Sequence, residues 1–143
     1  MTEIFVINGV NLGRLGRRRP EVYGTLTLYD IEKLLSDEFP EVTFEFKQMD
    51  HEGGMVGCIW GAAESAGIII NPGAWTHYSY ALHDALESVD APKVEVHLSN
   101  VHAREDWRRF SVVSPVVDAI VTGMGAFGYV AAATYLLSRA EDL

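Results

Sequence analysis

Five short apolar runs punctuate the chain, at residues 4–7, 42–46, 67–70, 94–98 and 119–121, and most stop abruptly at polar or glycine residues. Between them the apolar residues change period. Leu28, Ile31, Leu34 and Leu35 follow Thr27, which with Asp30 makes a capping-box pattern, and they recur at helical spacing. Met55, Val56, Ile59, Trp60 and Ala63 make a second stripe, Tyr78, Leu82, Ala85 and Val89 a third, and Val130, Ala131, Thr134, Tyr135 and Leu137 a fourth. Runs apolar on both faces suit strands buried on both sides, and strands alternating with helices predict a parallel sheet covered by helices on both faces. Such sheets bind ligands outside the carboxyl ends of their strands.

That rule turns the strand ends into a list of candidate site residues. They are 8–11 (Asn-Gly-Val-Asn), Asp50-His51-Glu52, Asn71-Pro72-Gly73-Ala74, 97–100 (His-Leu-Ser-Asn) and Gly123-Met124-Gly125. The connection from residue 13 to 25 is long for an α/β loop and reads as an active-site lid on a single catalytic domain spanning 1–143. A net charge of −9 disfavours nucleic acid or an anionic membrane as partner. No apolar run approaches the ~18 residues of a membrane span, and Met1-Thr2-Glu3 lacks the basic start of a secretory leader, so a cytoplasmic protein is expected. The single cysteine, Cys58, leaves no disulfide within the chain and no thiolate metal cluster, and it lies in an apolar helical pattern that suits a buried thiol.

Three features carry chemistry. Glu95 and His97 are two apart on one strand, hence on one face, where a carboxylate can orient an imidazole and keep it protonated for general acid work; a half-exposed edge strand would show the same alternation. Arg14, Arg17, Arg18 and Arg19 form a basic island before Tyr23, and cations within ~4–6 Å lower a phenol's pKa by ~1–3 units from about 10, making a phenolate base available; a tyrosine packed under a basic loop is the alternative. Residues 123–128 match G-x-G-x-x-G, but no strand bearing an acid follows, so close packing of the last helix explains these glycines better than a dinucleotide does.

In order along the chain, residues 8–20 with Tyr23-Gly24, 50–53, 71–77, 95–105 and 123–129 closely resemble the type II 3-dehydroquinate dehydratases of the shikimate and quinate pathways. The resemblance implies a flavodoxin-like three-layer α/β fold with a five-stranded parallel sheet, no cofactor or metal, 3-dehydroquinate as substrate, and a homododecamer built as a tetramer of trimers. It implies that Tyr23, activated by Arg18, removes a proton from C2, that Asn11 with backbone near Val10 and Ala74 holds the water stabilising the enolate, and that His97, oriented by Glu95, protonates the leaving hydroxyl. Asn71 and the backbone of Leu98 and Ser99 would hold the carboxylate, and His77 and Arg108 the ring hydroxyls. Asp84, seven residues after His77 and about 10 Å away if one helix carries both, would serve a neighbouring subunit's site. The chain departs from the family at Val10, Tyr78, Tyr80, His83, Ala126 and Phe127, none a catalytic side chain. A flavin- or nucleotide-binding module on the same fold, or an impaired relative, would share much of this pattern.

Overall fold

The computed structural model describes residues 2–140, apart from the side chains of Tyr23 and Ala140. Its strands are β1 (Thr2–Asn8), β2 (Val42–Gln48), β3 (Gly67–Asn71), β4 (Lys93–His97) and β5 (Ala119–Thr122), all parallel in the order β2-β1-β3-β4-β5. This is the flavodoxin-like order, whose direction of winding reverses between β1 and β3. Asn8 and Asn71 are register partners at that switch point, so the two asparagines end their strands side by side.

Five helices connect or follow the strands: α1 (Pro20–Tyr23), α2 (Leu28–Glu38), α3 (Glu52–Gly61), α4 (Tyr80–Glu87) and α5 (Phe127–Ala140). Strand alternation sorts the core into two layers. Ile4, Val6, Ile69, Val94 and Val96 pack with Ile31, Leu35, Tyr129 and Leu136 of α2 and α5. Ile7, Ile68 and Ile70 face Met55, Ile59, Leu82 and Leu86 of α3 and α4. Thr27 and Asp30 form the expected capping box, each side chain bonded to the other's backbone N–H.

The helical stripes needed correction at their edges. Leu34 and Trp60 are exposed, because α2 and α3 bury a narrower arc than the apolar residues alone mark out, and Tyr78 is exposed because it precedes α4. In α5 the buried residues are Tyr129, Val130, Ala132, Ala133 and Leu136, while Thr134 faces out. Gly128 sets that phase: a Cβ there would come within 3.2 Å of Val121 and 3.3 Å of Val96, so α5 lies directly on β4 and β5. Close packing, as expected, accounts for this glycine.

The largest departure concerns His77 and Asp84. They do not share a helix. His77 ends a 3-10 turn (Gly73–His77), and α4 starts afresh at Tyr80, capped by Ser79, whose Oγ accepts from Leu82 N at 3.2 Å and donates to Glu52 at 2.5 Å.

Candidate active site

A cavity of about 200 Å³ opens at the carboxyl ends of β1, β3 and β4. Of the side chains predicted from sequence, it brings together Asn11, Arg18, Asn71, His77, His97, Leu98, Ser99 and Arg108, with Val10, Ala74 and Arg104 also lining it. In a chain of net charge −9, three arginines around one small cavity make a cationic site suited to an anion.

The turn after β1 is built by close backbone approach. A Cβ on Gly9 would lie 2.5 Å from the Pro72 carbonyl oxygen, and Gly73, at φ +62°, brings its Cα within reach of the Val10 carbonyl. Asn11 adopts a left-handed conformation, φ 68°, which asparagine tolerates, and its N–H donates to Asp50 Oδ1 at 3.0 Å. Gln48 Nε2 bonds both Asp50 and the Gly9 carbonyl. The second strand end is therefore a buttress and lines no part of the cavity: His51 caps α3 through Nδ1, Glu52 receives Ser79, and Asp50 holds the Asn11 turn.

Asn71 is fixed in rotation. Its Oδ1 accepts from Gly73 N at 3.1 Å and its Nδ2 donates to Tyr129 Oη at 3.2 Å, which in turn donates to Asn8 Oδ1 at 2.5 Å. One amide proton of Asn71 remains for a ligand. Burial pushes the Tyr129 phenol well above its ordinary range, so it stays a neutral donor.

His97 Nε2 lies 2.5 Å from Glu95 Oε2, with the carboxylate fully buried beneath the imidazole. Burial pushes the Glu95 carboxyl up, but the hydrogen bond and charge of His97, with hydroxyls from Ser114 and Thr76, outweigh it and leave Glu95 below the usual carboxylate range. His77 has the opposite balance. Burial lowers it, the Phe110 carbonyl opposes that less strongly, and the imidazole is held neutral. Since Nδ1 donates to the Phe110 carbonyl at 2.7 Å, Nε2 is an acceptor. Trp107 packs edge-on against His77 at 5.1 Å and lies 4.1 Å beneath the Arg108 guanidinium, whose Nε also bonds Glu105 at 2.7 Å.

Arg104 was not singled out as a site residue, yet its mostly buried side chain lines the cavity and donates to Ser99 Oγ at 3.2 Å. Thr76, Ser111 and Ser114 around Glu95 were likewise missed; only the sequence neighbourhood of Arg104, a polar loop seven residues past His97, carried any signal. Asp84 does not join the cavity. It is exposed on α4, bonded to His83 Nδ1 at 3.0 Å and flanking a second, apolar hollow with Val56, Trp60 and Ala81. The expectation for Tyr23 concerns a side chain outside the described residues. Among the described residues no three His, Cys, Asp or Glu side chains are grouped to hold a metal ion.

The sequence model of the Dehydroquinase class II family matches residues 2–137. The chain belongs to the class II dehydroquinase family. Among class II dehydroquinases and their relatives, it is 51% identical over 140 residues to a protein of Kineococcus radiotolerans named 3-dehydroquinate dehydratase, covering 96% of each chain. It is 48% identical over 141 residues to the protein of that name from Chlorobaculum tepidum, covering 96% of this chain and 95% of that protein. The crystal structure of a type II dehydroquinase from Butyrivibrio crossotus superposes with a TM-score of 0.92 at 40% identity, over 95% of this chain and 97% of the other. The class II dehydroquinase fold, with its 2-1-3-4-5 sheet, is thus the frame on which the cavity is built.

Proposed function

We propose that this chain dehydrates 3-dehydroquinate to 3-dehydroshikimate by trans elimination through an enolate. The observation that carries the reading is the buried Glu95–His97 pair beneath a cationic, switch-point cavity in a chain of this family. A phenolate at Tyr23 takes the C2 proton, and Arg18, which lines the cavity, favours that phenolate electrostatically. The enolate oxygen accepts a hydrogen bond from a water held by Asn11. His97 then protonates the C1 oxygen, which leaves as water with its bonding pair as the ring double bond forms. Asn71, offering its remaining N–H, and the Leu98–Ser99 backbone receive the substrate carboxylate, while neutral His77 accepts from a ring hydroxyl beside Arg108.

An imine route needs a lysine at the ketone. The three lysines of the chain do not line the cavity: Lys33 pairs with Asp37 on α2, Lys47 faces outward on β2, and Lys93 Nζ bonds the Val89 carbonyl at the far end of β4. Mixing protein with 3-dehydroquinate should raise the ultraviolet absorbance of the conjugated enone-carboxylate, and borohydride added with substrate should leave both activity and protein mass unchanged. A lysine adduct would replace the enolate mechanism.

The reading extends to a homododecamer acting in the cytoplasm, with residues 13–25 as its lid. Exposed Trp60 on α3, which lines a hollow with Asp84, and exposed Tyr80 on α4 support subunit contacts there. Light scattering at micromolar concentration reports the assembly, where a monomer would contradict it, and cell fractionation reports the location.

A further inference from the structure

Beneath the imidazole, the surroundings of Glu95 have a polarity of their own. Ser111 Oγ accepts two backbone N–H groups, from Val113 at 3.1 Å and Ser114 at 3.0 Å. Those bonds use both lone pairs of the hydroxyl, so its single proton must point away from them. It has two places to go: Thr76 Oγ1 at 2.8 Å, or the Glu95 oxygens at 3.3 and 3.5 Å. If it goes to Thr76, the Thr76 proton goes on to Glu95 Oε2 at 2.5 Å. Ser114 Oγ reaches Glu95 Oε1 at 2.6 Å. Every hydroxyl proton in the cluster therefore runs toward the carboxyl group, and the direction is set by two backbone N–H groups that cannot reverse. The cluster is tied in place by Val112 N, which donates to the Thr76 carbonyl at 2.8 Å.

We propose that Thr76, Ser111 and Ser114 are positioning residues forming a one-way hydroxyl clamp that favours an ionised Glu95, and that they act through Glu95 on His97. A protonated Glu95 could offer its proton only to His97 Nε2, and the three hydroxyls would then donate to a neutral carboxyl group instead of to a charge. With Glu95 ionised, His97 Nε2 must carry a proton in both charge states. The proton exchanged with substrate is then the one on Nδ1, and the imidazole is held in one tautomer and one rotation. Without the clamp, the proton shared by the pair can move from the imidazole to the carboxyl group, where it is useless to the leaving hydroxyl. The other titratable or charged groups around the carboxylate, His77 from the turn after β3 and His102, Arg108 and Arg109 from the segment after β4, line the adjoining cavity of about 220 Å³. They are unchanged in the variants below.

This inference rests on the reading of His97 as general acid, so its test is a titration that needs no turnover. In protein labelled with carboxyl-carbon-13 glutamate, the Glu95 resonance is identified by its loss in Glu95→Gln and followed with pH in wild type, Thr76→Val, Ser114→Ala and Thr76→Ser. A hydrogen bond to a charge corresponds to roughly one to two pKa units. The clamp predicts that Glu95 begins to protonate about one unit or more higher in Thr76→Val and in Ser114→Ala than in wild type, with Thr76→Ser within a few tenths of wild type. In the dehydration assay the first two should lower kcat at near-constant KM. Unmoved Glu95 titrations in both Thr76→Val and Ser114→Ala overturn the clamp even if activity falls, as does a Thr76→Ser shift as large as that of Thr76→Val. A shifted titration in a protein that never dehydrates 3-dehydroquinate keeps the clamp and discards the function.

Discussion

The two halves of the site are built differently. On the β3–β4 side, Glu95 is fully buried and receives donors from four side chains, and Asn71 is locked through Tyr129 to Asn8 across 121 residues of sequence. In the connection after β1, residues 13, 14, 17, 19–21 and 24 are exposed, and the backbone bonds close turns between near neighbours: Arg17 N to Arg14 O, Val22 N to Arg19 O, Gly24 N to Pro20 O. Leu12 and Leu15 are both buried and anchor the loop, Leu15 in the core beside α2. Arg19 holds a left-handed φ of 31° and a 3.0 Å ion pair with Glu21, 60% and 64% exposed, of a kind worth little in water. The Glu95–His97 pair is thus preorganised by the fold, whereas the connection carrying Arg18 rests on local turns.

The comparison breaks most sharply at Tyr23. Replacing it with phenylalanine should lower kcat by ~10²–10⁴-fold with KM largely kept, since the lid would lose its base without disturbing the floor; near-normal turnover would show that the lid supplies no base. Arg18→Ala should cost less, and its defect should shrink as pH rises, because hydroxide replaces the missing cation in forming phenolate. A loss of the same size at every pH would make Arg18 a substrate-binding group only.

On the floor, Tyr129→Phe removes the donor to Asn8 and the acceptor of Asn71 while keeping the ring. A stability loss of ~1–3 kcal/mol is expected from the buried groups left unpaired, read as a lowered denaturant midpoint, together with a raised KM as Asn71 gains rotational freedom. A lid tyrosine would show no such stability cost. The smallest effect is a pH dependence. Because Glu95 titrates below its ordinary 4.5 in the folded chain, its contribution to stability is present above that value and declines as pH falls through the folded pKa. His77, lowered from 6.5, adds a loss that begins earlier, as the unfolded chain takes up protons first between 6.5 and the folded value. Melting temperature should therefore fall on acidification from neutrality, and the part below pH 4.5 should be smaller in Glu95→Gln, with Glu21 and Glu105 supplying the remainder. An unchanged acid limb in that variant would mean the carboxylate is not held ionised.

Periodicity by itself determined the layers of this protein, the five strands, the edge where they deliver polar groups, and the shared face of Glu95 and His97, because a period of two leaves no other choice on one strand. The sequence context also pointed to Gly128 as a packing glycine, while Gly123 and Gly125 serve positive-φ turns. Tertiary structure alone decided which strand ends form the cavity and which brace it: Asp50, His51 and Glu52 looked like site residues and proved to be a turn support, a helix cap and a hydrogen-bond anchor. It also broke the helix expected to join His77 to Asp84, because Ser79 ended one turn and capped the next. The clamp on Glu95 was invisible in sequence for the same reason. Thr76, Ser111 and Ser114 lie 19, 16 and 19 residues from it along the chain, and no local spacing encodes where a hydroxyl will point once three separate segments meet around one buried charge.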